Sequence, residues 1–305
     1  MAIRVWDIDG KELETIPAKY LDTGLKAFNY LLSGDENKGI PSNPNNAIFG
    51  APGVGKTLLS LQVSCYIAKE IPALFIDLES FFASKSSAKT YLENLVSRFD
   101  TPKENLLIET YMQDERMLEP FFAKLGIALT LPLPKVGTRG RAKGKIKIEN
   151  FSCRLAMPFE QSYYGRLIKE RNIGFVVIDG IHTAIQLGGI SKRETLPLRA
   201  DIMRALASQL GAYCIRNGIP LLYTMHHTQA PTMPPVVEPW GGDPQGYLIK
   251  NVIRLKKGSG SKTRDEDGGY TKQYRVLQVW RSVAVPERTS RELLLQFPEG
   301  FKDIE

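Results

Sequence analysis

Gly50-Ala51-Pro52-Gly53-Val54-Gly55-Lys56-Thr57 is the stretch on which the reading of this chain turns. It matches G-x-x-x-x-G-K-[ST], a glycine-rich turn that cradles phosphate. Ala47-Ile48-Phe49 just before it reads as a short apolar strand, and the residues from Thr57 to Glu70 carry apolar side chains at helical spacing. The glycines let successive backbone N–H groups converge on phosphate oxygens, and the helix that follows adds the positive end of its dipole. Gly50, Ala51, Pro52, Gly53, Val54, Gly55, Lys56 and Thr57 are therefore the expected nucleotide-binding residues. Lys56 is expected to reach the β and γ phosphates and Thr57 to place its hydroxyl on Mg²⁺. The expected cofactors are ATP and Mg²⁺; the loop reads phosphates and not the base, so it does not separate ATP from GTP.

Working outward, strands and helices alternate. Ile71 to Glu79 reads as a buried strand, Lys89 to Phe99 as an amphipathic helix, and Asn105 to Thr110 as a second strand. Ile173 to Asp179 is a continuous apolar run, which implies a parallel sheet covered on both faces. Leu196 to Arg216 reads as a long helix and Ile219 to Met225 as the next strand. From Tyr247 onward consecutive strands follow, NVIRLKK and QYRVLQVW. Upstream, Val5 and Ile8 fall in a strand-like stretch and Tyr20 to Gly39 reads as a short helix. The pattern predicts an α/β fold: a mostly parallel sheet flanked by helices, with antiparallel strands at the C-terminal edge.

The 305 residues are 43% hydrophobic, enough for a real core, with a net charge of +7 that permits a polyanionic partner. No apolar run approaches the roughly 18 residues a membrane span needs. Cys65, Cys153 and Cys214 are widely spaced and odd in number, which argues against a disulfide framework or a zinc site. The N-terminus is charged and alternating, unlike a signal peptide, so the expectation is a cytoplasmic protein with no membrane partner.

Two further strand ends carry chemistry. Phe175-Val176-Val177-Ile178-Asp179 ends in a carboxylate, and Asp179 is expected to hold Mg²⁺ through water. Asp77-Leu78-Glu79 ends the strand after the first helix. Glu79 is the candidate base for an attacking water and Asp77 the alternative, since alternation puts both on one face. A site built from His226 and His227 is disfavoured, because adjacent strand residues point to opposite faces.

In this order the motifs resemble the RecA/RadA recombinase superfamily, nearest its archaeal RadA-like branch and KaiC-like relatives. Asp77-Leu78-Glu79-Ser80-Phe81-Phe82 is similar to the family's D-T-E-G-x-F segment, whose glutamate activates water. Ser97 to Met112, Trp240-Gly241-Gly242 to Lys257-Gly258, and Val285-Pro286-Glu287 to Asp303 resemble its later segments. The resemblance implies a RecA-like P-loop NTPase core, here residues 23–305 after a short strand segment at 1–22. It also implies an ATPase and a nucleotide contact at Pro286. His226 stands where the family often has a γ-phosphate-sensing glutamine. Arg281 stands where recombinases have an aspartate and KaiC-like relatives a basic residue, which makes it a candidate arginine finger acting on a neighbouring subunit. The chain lacks the RadA N-terminal helical domain and a polymerisation motif, which speaks against filaments and strand exchange.

The segment Leu131 to Phe151 breaks the alternation and reads as a basic insertion, at about 131–160, in the core domain. Lys135, Arg139, Arg141, Lys143, Lys145 and Lys147 lie in it without an acid among them, and glycines keep it flexible. Such a loop is expected to follow nucleic-acid phosphates. The proline-rich loop Thr228 to Gly246, where the family keeps a DNA-binding loop, has no Lys or Arg. The expected partners are DNA, single-stranded before double-stranded, and a second copy of the chain or another RecA-like protein. The leading expectation is a RadA-like ATPase with an accessory role in homologous recombination or DNA repair. The alternatives are a KaiC-like oligomeric ATPase with a regulatory, protein-binding role and no DNA, and a non-catalytic nucleotide-gated subunit of a larger complex.

Overall fold

The computed structural model describes residues 5–6, 12–13, 18–84, 86–113, 117–130, 133–136, 146–149, 152–187, 196–230, 236–239, 249–258, 263–264 and 270–304. Nine strands follow one hydrogen-bonded path. In chain order they are β1 (Asn45–Gly50), β2 (Ala73–Asp77), β3 (Leu106–Thr110), β4 (Phe175–Asp179), β5 (Leu221–Ala230), β6 (Ile249–Lys257), β7 (Tyr270–Arg281), β8 (Ser290–Gln296) and β9 (Gly300–Asp303). Across the sheet the order is β9-β8-β7-β6-β1-β5-β4-β2-β3. The strands from β6 to β3 pair in parallel, whereas β7, β8 and β9 are antiparallel. This is the expected α/β layout, with a largely parallel core and an antiparallel C-terminal edge.

Every residue of β1, β2 and β4 is buried. Their side chains alternate between two apolar layers. Ala47, Phe49, Leu74, Ile76, Val176 and Ile178 face one layer, and Ile48, Phe75 and Val177 face the other. A sheet buried on both faces needs helices on both. On the Ile48 side lie α1 (Lys26–Ser33), α2 (Lys56–Ala68) and α3 (Ser86–Phe99); on the Phe49 side lie α4 (Leu118–Lys124), α5 (Tyr163–Glu170), α6 (Ile181–Leu187) and α7 (Leu196–Leu206). After α7 the chain passes through a π-helical turn, Ala207–Gly211, into a last helical segment, Ala212–Arg216. The long helix expected from Leu196 to Arg216 therefore carries a bulge.

Two expected elements differ. Tyr20 to Gly39 is not one helix: Tyr20–Leu21 pairs with Ile40–Pro41, and only Lys26–Ser33 is helical. Gly34 ends that helix in the left-handed conformation. The basic insertion is not a featureless loop either. Ile127–Thr130 pairs antiparallel with Ser152–Leu155, and Leu133–Val136 with Ile146–Glu149. The alternation of Ile146-Lys147-Ile148-Glu149 is a strand signal that the Gly and Lys content of the segment hid. Lys135 and Lys147 are direct cross-strand partners in this ribbon. Arg139, Arg141, Lys143 and Lys145 lie outside the described residues.

The C-terminal edge is tied to the front of the domain. Helix α1 has no side-chain cap of its own. Instead Asp303 accepts the backbone N–H of Lys26 at 2.8 Å and of Ala27 at 2.9 Å. Its negative charge also meets the positive end of the helix dipole. Asp303→Ala is expected to lower unfolding free energy by about 1–2 kcal/mol in urea, as for loss of a helix cap.

Candidate functional site

The parallel strands all point their C-terminal ends to one edge of the sheet, so Gly50, Asp77, Asp179 and His226 meet there. Open α/β sheets bind ligands at that edge. The chain leaves β1 at Gly50, turns, and enters α2 at Lys56. Gly55 takes φ 103°, a conformation that only glycine adopts without strain, and this lets the helix start directly from the loop. Lys56 is nearly buried and folds back over the loop, with Nζ donating to the carbonyls of Gly50 at 3.3 Å and Ala51 at 3.1 Å. Burial lowers its pKa, and the charges of Glu79 and Asp179 oppose that shift.

Behind the loop lies Asp179, wholly buried. Thr57 Oγ1 donates to its Oδ2 at 2.8 Å, and Thr224 Oγ1 donates to its Oδ1. The Thr224 hydroxyl in turn accepts the backbone N–H of Gly180 at 2.9 Å. Burial, then the nearby charge of Glu79, pushes the Asp179 carboxyl up to about 7, against the two hydroxyl bonds. A divalent cation fits this donor set: an alcohol and a carboxylate in contact, both hard oxygen ligands. Thr57 and Asp179 are the residues that would hold Mg²⁺.

Asp77 and Glu79 do not share the strand face that alternation predicted, because β2 ends at Asp77. The oxygens of Asp77 accept the backbone N–H of Glu79 at 3.0 Å and of Phe82 at 3.2 Å, which curls the chain into a turn. Ser80 completes that turn at φ 53°, its hydroxyl on the Tyr111 carbonyl. Asp77 is thus a buried builder of the turn, and Glu79 is the carboxylate that opens onto the cleft. Room for it comes from Gly180, where a Cβ would stand only 2.2 Å from Glu79 Cγ.

Glu79 Oε1 lies 3.5 Å from Nε2 of His226 and 3.5 Å from Nε2 of His182, a residue of α6 that the motifs did not single out. The two imidazoles are packed together, with centroids 3.6 Å apart. Burial first, then neighbouring positive charge, lowers His226 to about 4 and His182 to about 2. Both are neutral in ordinary buffers. His182 Nδ1 accepts the backbone N–H of His226 at 3.3 Å. A neutral ring that accepts at Nδ1 carries its proton on Nε2. Glu79, His182 and His226 have the residue types of a metal site and lie close enough for one. An Nε2–H is not a ligand, however, so the hydrogen bond favours a proton network over a metal centre.

The cleft, of about 580 Å³, is lined by Thr57, Glu79 and His226 together with Gln273, Arg275 and Phe297. Arg275 is almost buried; its Nε donates to the Val54 carbonyl at 2.8 Å, and Nη2 to Gln273 Oε1 at 2.7 Å. It ties the phosphate-type loop to β7. Arg275 alternates with Leu277 and Val279 on the inward face of that strand, and a cation at an inward position was the available signal.

Arg281 and Pro286 fall elsewhere. β7 runs against the parallel strands, so Arg281 pairs with Val252 at the opposite end of the sheet, and Pro286 lies in the turn beyond it. Neither reaches its own chain's cleft; a role at a nucleotide would have to be played on a second copy. His227 continues β5 opposite Pro239 and does not line the cleft. No helix among the described residues is long and apolar enough to cross a membrane. Comparison with protein-family models and with curated proteins finds no match to this chain.

The environment of Asp179 couples stability to pH. Its raised pKa means that the folded, nucleotide-free protein holds a proton that the unfolded chain releases above about pH 4. Stability of the folded protein should therefore fall as pH rises from about 4 toward 7. At pH near 8, Asp179→Asn should raise the melting temperature of the nucleotide-free protein by roughly 2–4 °C. It should also abolish any protection that Mg²⁺-ATP confers; both are read by thermal melts.

Proposed function

We propose that this chain is a magnesium-dependent nucleoside triphosphatase with a RecA-type core, acting on ATP and associating with DNA. The observation that carries the reading is the convergence on one cleft of the Gly50–Thr57 loop, the Thr57–Asp179 pair and Glu79. The loop turns backbone N–H groups and Lys56 toward a triphosphate. Thr57 and Asp179 would hold the cation, which when bound neutralises phosphate charge. Glu79, on a turn fixed by Asp77, is placed to take a proton from a water in the cleft. His226 is neutral and offers a ring N–H or a lone pair beside Glu79. That suits it to sense the terminal phosphate, as the resemblance implied. Lys56, Glu79 and His226 are thus the residues we assign to catalysis within one chain.

DNA association is supported by the basic ribbon, in which Lys135 and Lys147 pair in register on adjacent strands. Phosphate contacts there would act through counterion release and not through base reading. A second reading, a KaiC-like ring, is favoured by the position of Arg281 and Pro286 at the end of the sheet away from their own cleft. An interface that brought that edge to a neighbour's loop would use Arg281 in trans.

Glu79→Gln is expected to reduce ATP turnover roughly 10²–10⁴-fold, the usual range for losing a general base, with ATP binding kept within a few-fold. Turnover that survives the change would remove the catalytic assignment. Separately, single-stranded DNA affinity should fall steeply with salt. Changing Lys135 and Lys147 together to Ala should flatten the log–log salt slope by about 1.4, measured by fluorescence anisotropy. No binding at low salt would leave the ring reading standing.

A further inference from the structure

The chemistry proposed above leaves one buried group unused. His182 sits in the first turn of α6, completely enclosed, three residues beyond Asp179. A fully buried imidazole between two strand tips is costly unless its polar atoms are engaged. Both are. Nδ1 takes the backbone N–H of His226 at the tip of β5, and Nε2 lies 3.0 Å from Thr183 Oγ1 and 3.5 Å from Glu79 Oε1. The single Nε2 proton has two acceptors within reach, Thr183 Oγ1 the nearer and Glu79 Oε1 the farther, so the ring links the backbone of one cleft residue to the side chain of another.

We propose that His182 is a positioning residue: through its Nε2–H it orients the Glu79 carboxylate, and through Nδ1 it ties that orientation to the tip of β5 where His226 faces the cleft. This rests on the triphosphatase reading of the same site. The neighbours of the ring are fixed. Gly180, at φ 79°, lets Glu79 pack across the turn that leads into α6, and its N–H is held by Thr224, the same hydroxyl that serves Asp179. The His226 and His182 rings lie against one another, so a displacement of His226 is transmitted to His182 by contact as well as by the hydrogen bond. The 3.5 Å separation from Glu79 is long for a hydrogen bond, and catalytic contacts of this kind shorten when the substrate is in place. In this arrangement the base is aimed only when the β5 tip is in register with it. Contact between His226 and the terminal phosphate would set that register.

Two measurements test this. The first is long-range ¹H–¹⁵N correlation of the imidazoles, which is tractable because the chain has 3 histidines. His182 is expected as the Nε2–H tautomer without titrating between about pH 5.5 and 8.5, well above a ring of such depressed basicity. Its Nε2 resonance should shift in Glu79→Gln. An Nδ1–H tautomer, a titration within that window, or stoichiometric zinc binding that His182→Phe removes would each overturn the proposal. The second is kinetic. His182→Phe keeps the ring's bulk and should lower kcat about tenfold or more, with KM for ATP unchanged within about twofold. His182→Gln, which keeps a donor, should recover part of the loss. In a Glu79→Gln background the Phe change should alter the residual rate by less than about twofold, because the two residues act as a unit. A full tenfold loss in both backgrounds, or a loss confined to KM, would overturn it. If the unaltered protein turns over no nucleotide, the triphosphatase reading fails, and the tautomer and the Nε2 shift still decide whether His182 holds Glu79.

Discussion

A single buried carboxylate organises this end of the molecule. Asp179 receives the hydroxyl of Thr57 from α2 and the hydroxyl of Thr224 from β5, while its own strand pairs with both β2 and β5. The first turn of α2, the tip of β4 and the tip of β5 are therefore registered on two oxygen atoms. Two hydroxyl bonds do not match the hydration that an ionised carboxylate gives up on burial. The charge of Lys56 offsets part of that cost, and a bound cation would offset more.

The rest of the cleft elaborates this point. Asp77 curls the tip of β2 so that Glu79 leaves the sheet plane, and the glycine after Asp179 clears the space it enters. Arg275 approaches from the antiparallel edge and holds the carbonyl of Val54. The loop is thus gripped from the core by Asp179 through Thr57 and from the C-terminal edge by Arg275. Movement of either grip would change the shape of the cleft.

The sequence disclosed the fold well because the parallel strands are buried on both faces and read as unbroken apolar runs, Phe175 to Ile178 above all. It disclosed the loop because a G-x-x-x-x-G-K-T pattern is local. It misled at Asp77 and Glu79, where period-two reasoning assumed that the strand continued. The strand stops because Asp77 takes backbone N–H groups that would otherwise extend it, and no propensity encodes that. His182 was invisible for another reason: a histidine in Ile181-His182-Thr183 says nothing until the tips of β2, β4 and β5 are brought side by side. Arg275 was legible in principle, at the inward parity of β7, but antiparallel pairing had to be known before that end of the strand could be placed at the cleft. The ribbon of the insertion was masked by composition, since lysines and glycines concealed an alternating backbone.

The way the last strand closes on the first helices has a consequence for how the domain comes into being. Gln62, in the helix that begins at the loop, exchanges hydrogen bonds with the backbone of Phe301 through both its amide nitrogen and its oxygen. During synthesis the loop helix is made early, yet its buried glutamine has no proper partner until β9 has been translated. An emerging chain would carry the phosphate-type loop on an unfinished support, with α1 uncapped and a polar group facing apolar neighbours. The finished cleft is thus a property of the whole domain, and it forms only after β9 has joined α1 and α2.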